Sequence, residues 1–205
     1  MLSPETESAP IAEEIIGSIF VVRFSRPSQR NTLSTETLNA LAITLNRVKT
    51  SPSVRSVIFT GTADVFASGA DINEITRLDP SQAHVFSRRG QQLTDAVANL
   101  SQLTLAAING FCMGGGLDFA LACDIRLASK SAVFAHPGSK LGIITGWGGT
   151  QRLPRLIGKS KAIELFSTGR RFSSDEALKA GLVTQIADPV LEAAIAIANE
   201  STFIS

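Results

Sequence analysis

No stretch of this sequence stays apolar for the roughly 18 residues that a membrane-crossing helix requires, so no span and no membrane partner is expected. Runs of like charge are missing too, and with them the electrostatic footprint of a nucleic-acid binder. Charge is sparse as well as balanced: 19 Lys and Arg face 18 Asp and Glu, a net +1, and charged residues make up 18% of the chain. The first ten residues lack the basic and apolar regions of a secretory signal and the arginines of a transit peptide, so the cytoplasm is the expected compartment. Cysteine is limited to Cys112 and Cys123, both in apolar surroundings. They fit no metal spacing and no disulfide framework, and read as small buried hydrophobes. Neither a Walker A loop nor Gly-x-Gly-x-x-Gly after a strand occurs, so a nucleotide cradle of either kind is not expected.

What is present is a chain of 205 residues, 44% hydrophobic, enough for one core that buries about 70% of the unfolded surface. A loose arm is expected over residues 1–14, followed by one domain over residues 15–205. Ile15 to Phe24 reads as a strand or hairpin around Gly17-Ser18. Ser34 is a helix N-cap, followed by Leu38, Leu41, Leu45 and Val48 on one face and Pro52 as the stop. Val54 to Thr60 and Leu103 to Ile108 read as buried strands, with a helix over Ser81 to Leu100 between them. Gly114-Gly115-Gly116 opens a helix over Leu117 to Cys123. Strands follow at Asp124 to Ala128, Ala132 to Ala135 and Leu182 to Ile186. Helices are expected at about Gly149 to Ile157, Lys159 to Ser167, Ser174 to Ala180 and Val190 to Asn199. This alternation argues for an α/β fold with parallel strands. The basic residues Arg152, Arg155, Lys159, Lys161, Arg170 and Arg171 read as a solvated helix face.

Chemistry points to two glycine-bearing stretches that each follow a strand, Phe66 to Ile72 and Asn109 to Asp118. A strand that turns through glycine into a helix leaves main-chain N–H groups aligned with the positive end of the helix dipole. Two such ends side by side can accept an oxyanion. The same glycines also allow plain close packing of strand on helix.

Five blocks in order then carry a resemblance. They are Arg26-Pro27 with Asn31-Thr32-Leu33, FASGADI from Phe66, AAINGFCMGGGLDFALACDIRLA from Ala106, LGIITGWGGTQRLPRLIG from Leu141, and FSSDEALKAGLV from Phe172. Together they resemble the crotonase (enoyl-CoA hydratase/isomerase) family over roughly Ile15 to Pro189. The resemblance implies a spiral of ββα units with surrounding helices. Its C-terminal helical region is expected to be short or missing, because the sequence stops at Ser205 after one helical stretch. It implies an acyl-CoA thioester as substrate, coenzyme A arriving as part of it, and no separate cofactor or metal. It also implies lyase or isomerase chemistry and a homotrimer or hexamer. The oxyanion hole falls on the N–H groups of Ala70 and Gly115. Contacts to coenzyme A fall on Ser28, Gln29, Arg30, Ala67, Ser68, Gly69, Asp71, Ile72 and Gly114, and Trp147 walls the acyl pocket.

Two carboxylates are the family's acid/base pair. The first matches Asp118, one methylene shorter than the family's glutamate; the second matches Gly138, which has no side chain. Asp118 is expected to be the surviving acid/base group, with satisfying its own helix end as the competing role. For His136, two residues from position 138, a structural hydrogen bond is the expected role, with general base, which its unperturbed pKa near 6.5 suits, as the alternative. In an extended strand it would stand about 6.5 Å from position 138 on the same face. Ser139, Lys140 and Thr145 are weaker candidates, and His84 reads as surface or lid. Three functions remain open: an enoyl-CoA lyase or isomerase, a weakly active acyl-CoA-binding homologue, and an RNA-binding relative, against which the neutral charge speaks.

Overall fold

The computed structural model describes residues 9–201. Strand β1 (Ile11–Ile16) pairs antiparallel with β2 (Ile19–Phe24) across the Gly17-Ser18 turn, in the register Ile11↔Phe24 to Ile16↔Ile19. The arm expected over residues 1–14 is therefore cut back: residues 11–14 belong to the sheet, and residues 1–8 lie outside the described residues. Only Ile11 of β1 is buried, so the strand's pattern is too polar to stand out. Main-chain pairing with β2 recruits it all the same.

The chain continues through β3 (Thr32–Leu33), α1 (Thr35–Lys49), β4 (Ser56–Thr60), β5 (Val65–Ala67), β6 (Gly69–Ala70), α2 (Ile72–Ile75) and α3 (Pro80–Ala98). Then come β7 (Leu103–Ile108), β8 (Phe111–Met113), α4 (Gly115–Ala122), β9 (Ile125–Ala128) and β10 (Val133–Ala135). Last are α5 (Gly149–Ile157), α6 (Lys159–Thr168), β11 (Phe172–Ser173), α7 (Ser174–Lys179), β12 (Gln185–Ile186) and α8 (Val190–Glu200). Helix starts follow local chemistry. The Ser34 hydroxyl accepts from Thr37 N–H at α1, and Asp79 with Gln82 forms a reciprocal capping box ahead of Pro80 at α3.

A six-stranded sheet runs β1-β2-β4-β7-β9-β12, parallel beyond the first pair, and a four-stranded sheet runs β11-β10-β8-β5. β3 and β6 form a short parallel pair. Each of β4-β5, β7-β8 and β9-β10 gives one strand to the large sheet and the next to the small one, then leads to helix. This is the spiral of ββα turns that the resemblance implies.

Strands buried on both faces explain the near-continuous apolar runs. Along the large sheet the side chains alternate between two clusters. Ile19, Val21, Ile58, Leu105 and Leu127 face Val190, Ala194 and Ala198 of α8. Phe20, Val22, Phe24, Phe59, Ala106 and Ile108 face the main core around α4. Helix α4 is buried over Gly116 to Ala122. Its Phe119 meets Phe24 and Phe59 edge-on at 5.6 and 4.8 Å, pairs that add about 0.5–1.5 kcal/mol each beyond area burial. The helix that carries Gly115 and Asp118 is thus pinned by aromatic packing.

The expected strand over Leu182 to Ile186 is shortened to β12, because Leu182 and Val183 pack into the core ahead of it. Three of the six basic residues are paired locally: Lys161 and Arg170 both reach Glu164 and Glu176, and Arg152 reaches Asp95 at 2.7 Å. Among the described residues no helix is long and apolar enough to cross a membrane.

Candidate active site

The two glycine-bearing turns meet back to back. Gly69 has φ 99° and Gly114 φ 50°, conformations that glycine adopts without a Cβ penalty. A Cβ on Gly69 would lie 2.9 Å from Gly115 N, and one on Gly115 would lie 3.4 Å from Ala70 N. No side chain fits between the turns. Gly115 is the first residue of α4, where an N–H has no acceptor within the helix. Both Ala70 and Gly115 line a cavity of ≈ 260 Å³, walled largely by apolar groups including Phe86, Ile143, Trp147 and Phe166. Trp147 is wedged in place: a Cβ on Gly90 of α3 would fall 2.1 Å from its Nε1, and one on Gly115 would fall 2.6 Å from its ring.

An outer groove of ≈ 700 Å³ shares Ser68, Ala70 and Ile72 with the cavity and extends past Gln29, Arg30 and Asp71. Of the expected coenzyme A contacts, Gln29, Arg30, Ser68, Asp71 and Ile72 line the groove, while Gly69 and Gly114 line the inner cavity. Two do neither. Ser28 sits on the exposed turn Pro27–Gln29, outside both linings. Ala67 is fully buried in β5, its carbonyl oxygen 2.3 Å from where a Gly116 Cβ would stand. The Arg30 guanidinium lies 5.0 Å from the centre of the Phe111 ring, which Arg171 also covers at 5.6 Å. Loop 26–33 is held by Asn31, whose buried amide donates to the carbonyls of Val65 and Phe66 at 2.9 and 3.2 Å.

Behind the cavity lies Asp118, with no exposed surface. Its Oδ2 accepts from the Thr145 hydroxyl and from Trp147 N–H. Oδ1 stands 3.6 Å from Nε2 of His136. Burial raises the Asp118 carboxyl to about 6, against the pull of Thr145, Trp147 and Arg152. Burial lowers His136 to about 4. His136 lines the cavity and packs on the Phe166 ring at 4.9 Å.

His136 does not run on in an extended strand to position 138. It follows β10 and heads a 3-10 turn over Pro137–Leu141, started by the fixed φ of Pro137. A Cβ on Gly138 would lie 2.6 Å from the Ile143 carbonyl oxygen, and Gly138 O accepts from Ile143 N–H. The position of the missing carboxylate is closed by main chain.

A family model described as enoyl-CoA hydratase/isomerase matches residues 14–202. The chain belongs to the enoyl-CoA hydratase/isomerase family. It is 37% identical over 187 residues to a short-chain-enoyl-CoA hydratase of Clostridium acetobutylicum, covering 90% of this chain and 72% of that one. It is 38% identical over 170 residues to a crotonyl-CoA hydratase of Syntrophomonas wolfei, covering 82% and 65%. The chain thus spans about two thirds of the length of these curated relatives. Among solved structures, an enoyl-CoA hydratase from Bacillus anthracis superposes with a TM-score of 0.90 at 37% identity, covering 93% of this chain and 76% of that one. Within this family fold, sequence reasoning underrated Thr145 and passed over Gly149, whose Cβ would meet Asp118 Oδ1 at 2.0 Å. Thr145 lies in the loop before α5 and Gly149 is the first residue of α5, and the approach of both to α4 is set by chain folding, not by local pattern.

Proposed function

We propose that the chain is a lyase or isomerase acting on an acyl-CoA thioester with an apolar acyl group, whose enolate oxygen is held by the N–H groups of Ala70 and Gly115. The observation that carries this reading is the apposition of those two turns at one end of an apolar cavity. Taking a proton alpha to a thioester, or adding water beta to it, places negative charge on the carbonyl oxygen. Two preorganised donors stabilise that charge without reorganisation, and losing one costs about 2.7–4 kcal/mol. The groove past Gln29, Arg30 and Asp71 accommodates the coenzyme A portion and the cavity the acyl chain. The names of the two hydratase relatives support an enoyl thioester. The same proposal includes a homotrimer or hexamer, which light scattering at tens of micromolar checks; a monomer refutes that part.

The test is binding and turnover measured side by side. Acetoacetyl-CoA should raise the melting temperature, because it binds the folded state only, and a panel of enoyl-CoAs should be consumed. Absence of a shift at millimolar ligand removes the binding claim. Binding without turnover favours a second reading, an acyl-CoA-binding homologue of little activity, which the closed Gly138 position supports.

A further inference from the structure

We infer that Asp118 and His136 form one proton-transfer pair, in which His136 meets the acyl chain and Asp118 orients it, and that the pair carries out double-bond migration rather than water addition. This rests on the enolate reading above and specifies what moves the proton.

Asp118 Oδ1 and both ring nitrogens of His136 are the buried side-chain polar atoms without a hydrogen-bond partner among the described residues. Native proteins pair nearly all such atoms, so their clustering beside the acyl cavity marks a site directed at a ligand. The two residues are not equivalent. His136 lines the cavity and Asp118 does not. Asp118 is tied back by Thr145 and Trp147 on Oδ2, and Oδ1 is backed by Gly149. Turning the carboxylate toward the acyl chain would break both hydrogen bonds, so its route to the substrate runs through His136. Around the pair, Arg152 from α5 and Cys112 from β8 are the other groups that feel the Asp118 charge. Arg152 is engaged by Asp95, and burial keeps the Cys112 thiol protonated.

With Nε2 facing the carboxylate, the Nε2–H tautomer of the imidazole is favoured and Nδ1 carries the free lone pair. On a 3-enoyl thioester, Nδ1 takes the C2 proton. The C2–H pair forms C1=C2 while the carbonyl π pair moves to oxygen, held by Ala70 and Gly115. The oxyanion then re-forms C=O, C1=C2 shifts to C2=C3, and the C3=C4 pair takes the proton back from Nδ1 at C4. The product is the 2-enoyl thioester; one proton leaves and returns, and nothing is oxidised. Asp118 carries the countercharge while the imidazolium exists. Hydration instead needs one group to activate water at C3 and another to protonate C2. The position for the second is shut by the Ile143 carbonyl 2.6 Å from a Gly138 Cβ.

The test uses the full chain with 3-hexenoyl-CoA and 2-hexenoyl-CoA, and mass spectrometry of deuterium gained from D2O at C4 of the 2-enoyl product and at C2 of recovered 3-enoyl thioester. The parent should isomerise the first faster than it hydrates the second. His136→Gln should lose isomerisation and deuterium uptake by about 10²–10⁴-fold with thioester binding kept, and imidazole should restore part of the rate to His136→Gly. Asp118→Asn should lose a similar factor and also the acid limb of the pH profile, which a purely structural aspartate would leave unchanged. His136→Gln at the parent rate, or His136→Gly inactive with and without imidazole while still folded, overturns the pair and leaves the enolate reading standing. A parent that binds thioester but neither isomerises it nor takes up deuterium overturns both. Faster hydration than isomerisation overturns the migration chemistry.

Discussion

His136 Nε2 lies 3.6 Å from Asp118 Oδ1, and neither side chain exposes more than 2% of its surface. Burial drives the two groups in opposite directions, Asp118 to about 6 and His136 to about 4. The stability each brings therefore depends on pH with opposite sign. Asp118, raised from 3.8, contributes stability that is full below pH 3.8 and lost as pH rises through about 6. His136, lowered from 6.5, contributes stability that is full above pH 6.5 and lost as pH falls through about 4. Cys112 neighbours the pair, and burial keeps its thiol protonated across that window.

Between about pH 4 and 6 the two effects nearly cancel in the parent. Asp118→Asn should unmask His136, so denaturant stability rises with pH across this window by on the order of 3 kcal/mol. His136→Gln should unmask Asp118 and show the reverse slope. Urea titrations at half-unit pH steps check both; parallel, flat profiles in the two variants would contradict the opposed burial effects.

Thr145→Val deletes the hydroxyl that donates to Asp118 Oδ2 and keeps the volume. That hydrogen bond holds the carboxyl down, so its loss moves the carboxyl further up. The acid limb of the activity profile should shift toward higher pH, with turnover at pH 7 falling about tenfold. An unshifted limb would separate Thr145 from the proton-transfer group.

Gly138→Glu restores the family's carboxylate in sequence but not in space. Its Cβ meets the Ile143 carbonyl at 2.6 Å, a main-chain atom that closes the same turn. Calorimetry should register a loss of about 1–3 kcal/mol, without a rise in hydration rate. A stable, faster hydratase would show that the turn opens freely.

Gly90→Ala places a methyl 2.1 Å from Trp147 Nε1. Alone it should cost about 1–3 kcal/mol and weaken binding of longer acyl chains, since Trp147 walls the cavity. In a Trp147→Leu background the same change should be nearly silent, a coupling that a double-mutant cycle reads directly. Additive effects would mean the two residues are independent.

Much of the fold was legible because its signals are local. The Ser34 cap, the Leu38 to Val48 stripe and the strand over Leu103 to Ile108 depend on hydrogen bonds and periodicity within one segment. The blocks around Ala70 and Gly115 declared two N–H-bearing turns for a similar reason: the glycines that let a strand turn into a helix are visible in the chain itself. Of the smaller sheet, β10 was legible within Ala132 to Ala135, while β5, β8 and β11 were not, since pairing with distant neighbours and not propensity makes them strands. The same holds for β1, whose polar residues pair because β2 presents an edge. Tertiary structure alone decided that Asp118 is sealed behind the cavity while His136 lines it. It also decided that Thr145 and Gly149 close around Asp118. Those contacts join α4, the turn after β10 and the loop before α5 across 18 to 31 residues of chain, and burial set by that packing, absent from any single segment, is what parts the titration of one carboxyl from one imidazole.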